Sequence, residues 1–178
     1  MRRSRIRLLA KRLIERLDPP KIPVDVGAIA RSLGAEVRLQ RADETLSGFL
    51  LRDAVRGRTI IGVNAEQHPN RRRFTIAHEI GHLLLHEGAA IRIDSTQNVF
   101  RLSLRNVASS TGEVLEEREA NLFAAELLLP SDLVARELAR HVNLDLHDED
   151  DVRALADRFE VSAQALSIRL AYLGYSNA

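Results

Sequence analysis

The stretch FTIAHEIGH, residues 74–82, places two histidines four residues apart, at His78 and His82. On a helix this spacing projects both imidazoles from one face, so that they can hold one metal ion at about 2.0–2.1 Å. Glu79 follows the first histidine and would face the open side of the ion, where it can take a proton from a metal-bound water. The pattern predicts a catalytic zinc site, because zinc lowers the pKa of its bound water to about 7.

A chance occurrence of the short HExxH pattern is the alternative interpretation. Two features of the motif argue against it. Ile76 and Ile80 give the predicted helix a face to bury, which would bring the histidines near the interior, where they need partners. Gly81 costs about 1 kcal/mol relative to alanine inside a helix, which indicates that another segment approaches the helix there.

The rest of the chain predicts an α+β fold, with a small sheet of about three strands packed against the motif helix. Helical periodicity predicts helices over residues 3–17, 25–33, 70–86, 113–129, 131–140, 150–159 and 162–173. The predicted N-caps of four of these helices are Asp25, Asn70, Ser131 and Ser162. Extended segments are expected over residues 36–39, 47–52 and 59–63, the last two joined as a hairpin by a turn at Arg56-Gly57.

Residues 88–112 show no sustained periodicity. We expect a long irregular segment there, with one short strand over residues 99–104. Loops of this length in a compact domain are usually functional or disordered.

The third metal ligand should come from the predicted helix over residues 113–129. The 178 residues contain no cysteine, so a histidine or a carboxylate must complete the site. Glu117 is favoured, because it shares a face with Asn121 and with small residues that allow close packing against the motif helix. Asn121 could then hydrogen-bond the far nitrogen of a ligating histidine. Glu119, on another face of the same helix, is the alternative ligand.

The strings RRRFTIAHEIGHLLLH (residues 71–86) and EREANLFAAELLLP (residues 117–130) resemble the ImmA/IrrE family of zinc metallopeptidases, zincins of the gluzincin kind. The pieces SLGAEV, SGFLL and TIIGVN before the motif are also similar to the family. The resemblance implies that Glu117, four residues before Asn121, is the third ligand. It implies a zincin-like domain, which we assign to residues 1–140, followed by a helical segment over residues 141–178 that resembles a helix-turn-helix.

The resemblance also implies an activity and a substrate. Members of the family cleave helix-turn-helix transcriptional repressors, or promote their cleavage, and so act as anti-repressors in mobile elements or in stress responses. A metal-containing module that binds a repressor without cutting it is one alternative, and a toxin-like peptidase with another substrate is a second. Two histidines and a carboxylate suit Zn²⁺, and Mn²⁺ or Fe²⁺ would also be accepted.

Three further expectations concern the overall charge and hydropathy, the last two helices, and His86. The net charge of +1 favours no particular partner, and no apolar run reaches the roughly 20 residues that cross a bilayer, so we expect a cytoplasmic protein without membrane contact. The last two predicted helices resemble a helix-turn-helix, but Arg169 is the main charge of the second one, so we expect no direct DNA binding. His86 should cap the end of the motif helix rather than act as a fourth ligand.

Overall fold

A computed structural model describes residues 2–17, 20–87, 90–95, 112–141 and 144–175 of the chain. The helices of these residues are α1 (Arg2–Glu15), α2 (Val26–Ser32), α3 (Pro69–Leu85), α4 (Gly112–Leu128), α5 (Ser131–Arg140), α6 (Glu149–Phe159) and α7 (Ala163–Leu173). The strands are β1 (Ala35–Gln40), β2 (Leu46–Asp53), β3 (Arg58–Asn64) and β4 (Ile91–Ser95). The α+β class expected from the sequence is confirmed.

The strands form one mixed sheet with the order β1-β3-β2-β4. β1 pairs in parallel with β3, and β2 pairs antiparallel with both β3 and β4. The predicted hairpin between β2 and β3 is confirmed, with Gly57 at a φ of +61° in its turn.

The sheet has four strands, not about three. β4 lies inside the segment that we expected to be irregular, and it was missed because it is only five residues long. Its apolar side chains Ile91 and Ile93 are 56% and 67% exposed, so no buried pattern marks it. The strand predicted over residues 99–104 lies outside the described residues.

Helix α3 begins one residue earlier than predicted and has a different cap. Nδ1 of His68 accepts a hydrogen bond from the backbone N–H of Asn70 at 3.2 Å, so His68 is the N-cap and Pro69 opens the first turn. The prediction of Asn70 as the cap is wrong. Its side chain instead donates to the carbonyl of Val161 at 3.0 Å and ties α3 to the start of α7.

Three other capping predictions are tested by the structure. Asp25 accepts from the N–H of Ala28, and Ser162 accepts from that of Ala165, so both predicted caps are confirmed. Ser131 is not a cap, since it is the first residue of α5 and Pro130 takes the N-cap position without a side-chain hydrogen bond.

One apolar core joins the sheet, the two central helices α3 and α4, and the terminal helices. Its largest fully buried members include Ile6, Leu50, Ile61, Ile80, Phe123, Phe159 and Leu166. At Gly48 the strand β2 crosses α3 so closely that a Cβ would meet Thr75 Cγ2 at 2.5 Å and Gly62 O at 2.8 Å. The sheet therefore lies directly against the motif helix.

The C-terminal helices pack on this same core. The guanidinium of Arg169 in α7 is 3% exposed, binds both carboxylate oxygens of Glu126 in α4, and donates to the carbonyl of Leu129 at 2.9 Å. The division of the chain at residue 140 stays a prediction. Within the described ranges, no helix is long and apolar enough to cross a membrane.

Candidate metal centre

His78 and His82 lie on successive turns of α3 and face α4. Their side chains are almost completely buried, at 1% and 0% exposure. The two Nε2 atoms are 3.0 Å apart. The four-residue spacing on the helix thus brings both imidazoles to one point, as the sequence predicts.

Glu117 of α4 meets the two histidines at this point. Its Oε2 lies 3.3 Å from Nε2 of His78, and its Oε1 lies 3.2 Å from Nε2 of His82. The contact between the helices depends on Gly81, where a Cβ would lie 3.0 Å from Ala120 Cα and 3.2 Å from the carbonyl oxygen of Ala120. The prediction that another segment approaches the helix at Gly81 is confirmed.

The donor set fits a zinc-sized ion. One ligand atom from each of His78, His82 and Glu117 lies within 4.8 Å of the other two. Ligands about 2.0–2.1 Å from one ion in tetrahedral geometry are about 3.3 Å apart, and the two Nε2 atoms, 3.0 Å apart, come close to this value. Glu117 contacts each of them with a different carboxylate oxygen, at 3.3 and 3.2 Å. Two imidazole nitrogens and a carboxylate oxygen are also the donors of catalytic zinc sites that keep a fourth position open.

The electrostatics favour an ionised Glu117 and a neutral His82. Burial would raise the pKa of Glu117, but its close contacts with His78 and His82 and a hydrogen bond from Arg92 outweigh burial and lower that pKa strongly. Burial is the main cause that lowers the pKa of His82. A carboxylate and a neutral imidazole are the protonation states that a metal ion requires.

Asn121 lies behind the first histidine. Its Oδ1 is 2.9 Å from Nδ1 of His78, one turn along α4 from Glu117. Such a contact to the far ring nitrogen is usual for metal-binding histidines. The ring of Phe74 stacks on the imidazole of His78 with a centroid separation of 6.1 Å and adds packing on that side.

Glu79, the predicted base, is fully buried between α3 and the sheet. Its Oε1 would lie 3.4 Å from a Cβ at Gly48, so the carboxylate reaches strand β2. A side chain at Gly48 would therefore crowd the carboxylate that follows His78.

The chain matches the family model Peptidase_M78, the IrrE N-terminal-like domain, over residues 30–171. It belongs to the Peptidase_M78 family. A search of curated proteins found no match. Membership confirms the resemblance noted in the sequence. The family is one of peptidases, and the structure contains a buried group of two histidines and a glutamate that could hold a metal ion.

In this Peptidase_M78 chain Glu119, the alternative ligand, does not join the His78–His82–Glu117 group. Its Oε2 lies 3.1 Å from Nε2 of His86. His86 is the C-cap of α3, as expected, and its backbone N–H donates to the carbonyl of His82 at 3.3 Å. Its Nδ1 also lies 3.0 Å from Nδ1 of His82. A second group whose ligand atoms lie within 4.8 Å of one another is His82, His86 and Glu116.

Two arginines near the centre were not singled out from the sequence. Arg92 of β4 donates to Oε1 of Glu117 at 2.7 Å and to Glu116 at 2.8 Å. Arg52 of β2 donates to the carbonyl oxygens of His82 at 2.8 Å and His86 at 3.0 Å, and so supports the C-terminal end of the helix. Arg92 was missed because its strand β4, whose isoleucines are exposed, was not predicted from the sequence.

Proposed function

We propose that this Peptidase_M78 protein is a zinc-dependent endopeptidase, in which His78, His82 and Glu117 hold the ion and Glu79 is the general base. The observation that carries the proposal is the buried group of two imidazoles and one carboxylate at ligand-like separations. When bound, zinc would polarise the scissile carbonyl and favour the attack of water on it.

The remaining chemistry belongs to the chain. Glu79 takes the proton of the attacking water and then gives it to the amine nitrogen, while the C–N bond of the peptide breaks. Asn121 accepts from Nδ1–H of His78 and so keeps the Nε2 lone pair of that imidazole directed to the centre. The depth of the histidines, at 1% exposure or less, strengthens every one of these interactions by excluding water.

A helix-turn-helix transcriptional repressor is the proposed substrate, which would place the reaction in the cytoplasm and make the protein an anti-repressor. The resemblance of the two motifs to the ImmA/IrrE family supports this substrate. The inward orientation of Arg169 supports the absence of DNA contacts from this residue, because its guanidinium is engaged by Glu126 and Leu129. Zn²⁺ is the proposed cofactor, and Mn²⁺ or Fe²⁺ would suit the same donors.

Replacing Glu79 by Gln distinguishes an enzyme that cleaves the repressor from a module that binds the repressor without cutting it. Purified wild type, Glu79→Gln and the exposed control Glu66→Gln are loaded with zinc and incubated with a candidate helix-turn-helix repressor. We expect one cut in the repressor with wild type and Glu66→Gln, and a loss of at least about a hundredfold in rate with Glu79→Gln, at unchanged zinc content. Full relief of repression by the uncleaving Glu79→Gln protein would support the binding module instead.

A further inference from the structure

Behind the second histidine, three side chains form a chain of short contacts that leads away from the centre. Nδ1 of His82 lies 3.0 Å from Nδ1 of His86, and Nε2 of His86 lies 3.1 Å from Oε2 of Glu119. All three residues are buried, at no more than 7% exposure. This chain is distinct from the contact of His78, whose far nitrogen meets Asn121.

The chemistry of the groups gives this chain a direction. A carboxylate only accepts hydrogen bonds, so Glu119 requires a proton on Nε2 of His86. Nδ1 of a neutral His86 is then an acceptor, and it requires a proton on Nδ1 of His82. The Nε2 of His82 then carries the lone pair that can bind an ion placed between it and Oε1 of Glu117, which is 3.2 Å away.

The opposite direction would weaken metal binding. A donor in place of the Glu119 carboxylate would put the proton of His86 on Nδ1 and that of His82 on Nε2. A protonated Nε2 has no lone pair for an ion. The residue at the end of this row of contacts, Glu119, therefore favours the tautomer of His82 that can bind an ion.

We propose that His86 and Glu119 are positioning residues for the metal, which fix His82 as its Nδ1–H tautomer and hold its Nε2 toward the ion. The inference rests on the proposed function in taking His82 as a ligand. It assigns a role to the alternative ligand Glu119, which acts on the centre through two imidazoles without touching it.

The backbone keeps His86 in place for this role. His86 leaves the helix at the C-cap, with φ −126° and ψ 126°, and its carbonyl is held by Arg52 at 3.0 Å. The same guanidinium holds the carbonyl of His82 at 2.8 Å. Strand β2 thus fixes both ends of the contact between the two imidazoles.

A competing role for His86 is that of a ligand in a second metal site with His82 and Glu116. The two roles exclude each other, because a proton between the Nδ1 atoms of His82 and His86 leaves no room for an ion there. Zinc stoichiometry and the count of histidine ligands separate them.

The test compares His86→Phe with His86→Asn. Phenylalanine keeps a ring but removes the acceptor, whereas asparagine offers an oxygen close to the position of Nδ1. In metal-free protein labelled with ¹⁵N-histidine, NMR should show His82 as the Nδ1–H tautomer in wild type and His86→Asn, and as a mixture in His86→Phe. Zinc affinity, measured by competition with a chelator, should fall by about 10–100-fold in His86→Phe and stay close to wild type in His86→Asn.

A second variant guards against loss of folding. Glu119→Gln replaces the carboxylate by a neutral amide that can either accept or donate a hydrogen bond. Both tautomers of His82 should then be populated, and zinc binding should weaken less than in His86→Phe. Circular dichroism on the metal-free proteins checks that each variant is folded. X-ray absorption of the zinc-loaded wild type should show two histidine ligands.

Several results would overturn the proposed relay, in which Glu119 acts through His86 on the tautomer of His82. They are unchanged zinc affinity in His86→Phe, an Nε2–H tautomer of His82 in wild type, three histidine ligands, or two zinc ions per wild-type chain with one in His86→Phe. If wild type binds no zinc, the proposed function fails, and the NMR of metal-free protein still decides the relay. If zinc binds as expected but no repressor is cut, the substrate proposal fails and the relay stands.

Discussion

Nδ1 of His78 lies 2.9 Å from Oδ1 of Asn121, and this contact joins the first predicted ligand on α3 to the helix that carries the third. Asn121→Leu keeps a similar volume but removes the acceptor, so the imidazole loses its preferred tautomer and direction. We expect zinc affinity to fall by about 10–100-fold in a chelator competition. Asn121→Asp keeps an oxygen acceptor and should bind zinc at least as well as wild type, and equal affinities for all three proteins would contradict the assignment.

The matched pair Glu117→Ala and Glu119→Ala separates the predicted ligand from the residue behind it. Glu117 lies within 3.3 Å of both Nε2 atoms, whereas Glu119 contacts His86. At saturating zinc, Glu119→Ala should still contain about one ion per chain, as expected for a catalytic site, and Glu117→Ala should contain much less. Metal analysis after gel filtration gives the result. Metal loss only in Glu119→Ala would show that Glu119, and not Glu117, is the third ligand.

The close approach of the two central helices can be tested at Gly81. A methyl group there would lie 3.0 Å from the Cα of Ala120, which is main chain and cannot rotate away. Overpacking costs about 1–3 kcal/mol and should exceed the gain in helix propensity of about 1 kcal/mol. Gly81→Ala should therefore lower the free energy of unfolding in urea.

Gly27 provides the matched control for this substitution. A Cβ at Gly27 would meet only the ends of the Asp25 and Arg31 side chains, at 3.3 and 3.4 Å. Gly27→Ala should be neutral or stabilising. A Gly81→Ala protein that is as stable as Gly27→Ala would show that α4 can move away at no cost.

The buried pair of Arg169 and Glu126 should hold the last helix against α4. Arg169→Met leaves the half-exposed Arg7 as the remaining charged partner of the carboxylate among the described residues, and we expect a loss of about 3 kcal/mol in the free energy of unfolding. The double variant Glu126→Leu/Arg169→Met should lose less than this, because no buried charge is left uncompensated. Arg153→Met, at an exposed pair, should change stability by less than about 0.5 kcal/mol.

A surface pair between α1 and α5 gives a prediction about pH. The hydrogen bond from Lys11, at 2.9 Å, lowers the pKa of Asp132 below its ordinary value of 3.8. A lowered pKa adds stability above pH 3.8 that is lost as the pH falls through the lowered value. NMR titration should find the pKa of Asp132 closer to 3.8 in Lys11→Met, and the small stability difference from wild type should disappear in acid. An unchanged pKa would exclude this pairing in solution.

The sequence predicts the central helices well, because long apolar periodicity and a motif with fixed spacing act together in them. The motif helix and the helix of Glu117 are each found within about two residues of the predicted ends, the usual margin for such boundaries. Their contact was also predictable, because a glycine inside α3 and small residues on α4 left room for it.

The features that the sequence does not predict depend on short elements and on rotation between helices. β4 has five residues and exposes its isoleucines, so it carries no burial pattern, and Arg92 was missed with it. The histidine cap at His68 escaped notice because an asparagine stands two residues later. The partner of Glu119 depends on how α4 is turned against α3, which periodicity alone does not give.

The main-chain contact between Gly81 and Ala120 sets how closely α3 and α4 approach each other. Because two backbones meet there, no side chain at position 81 separates the turns that carry the histidines from the helix of Glu117. A side chain at this position would push α4 away and draw Glu117 back from both histidines. A residue without a side chain is thus what lets three predicted ligands from two helices meet at one point.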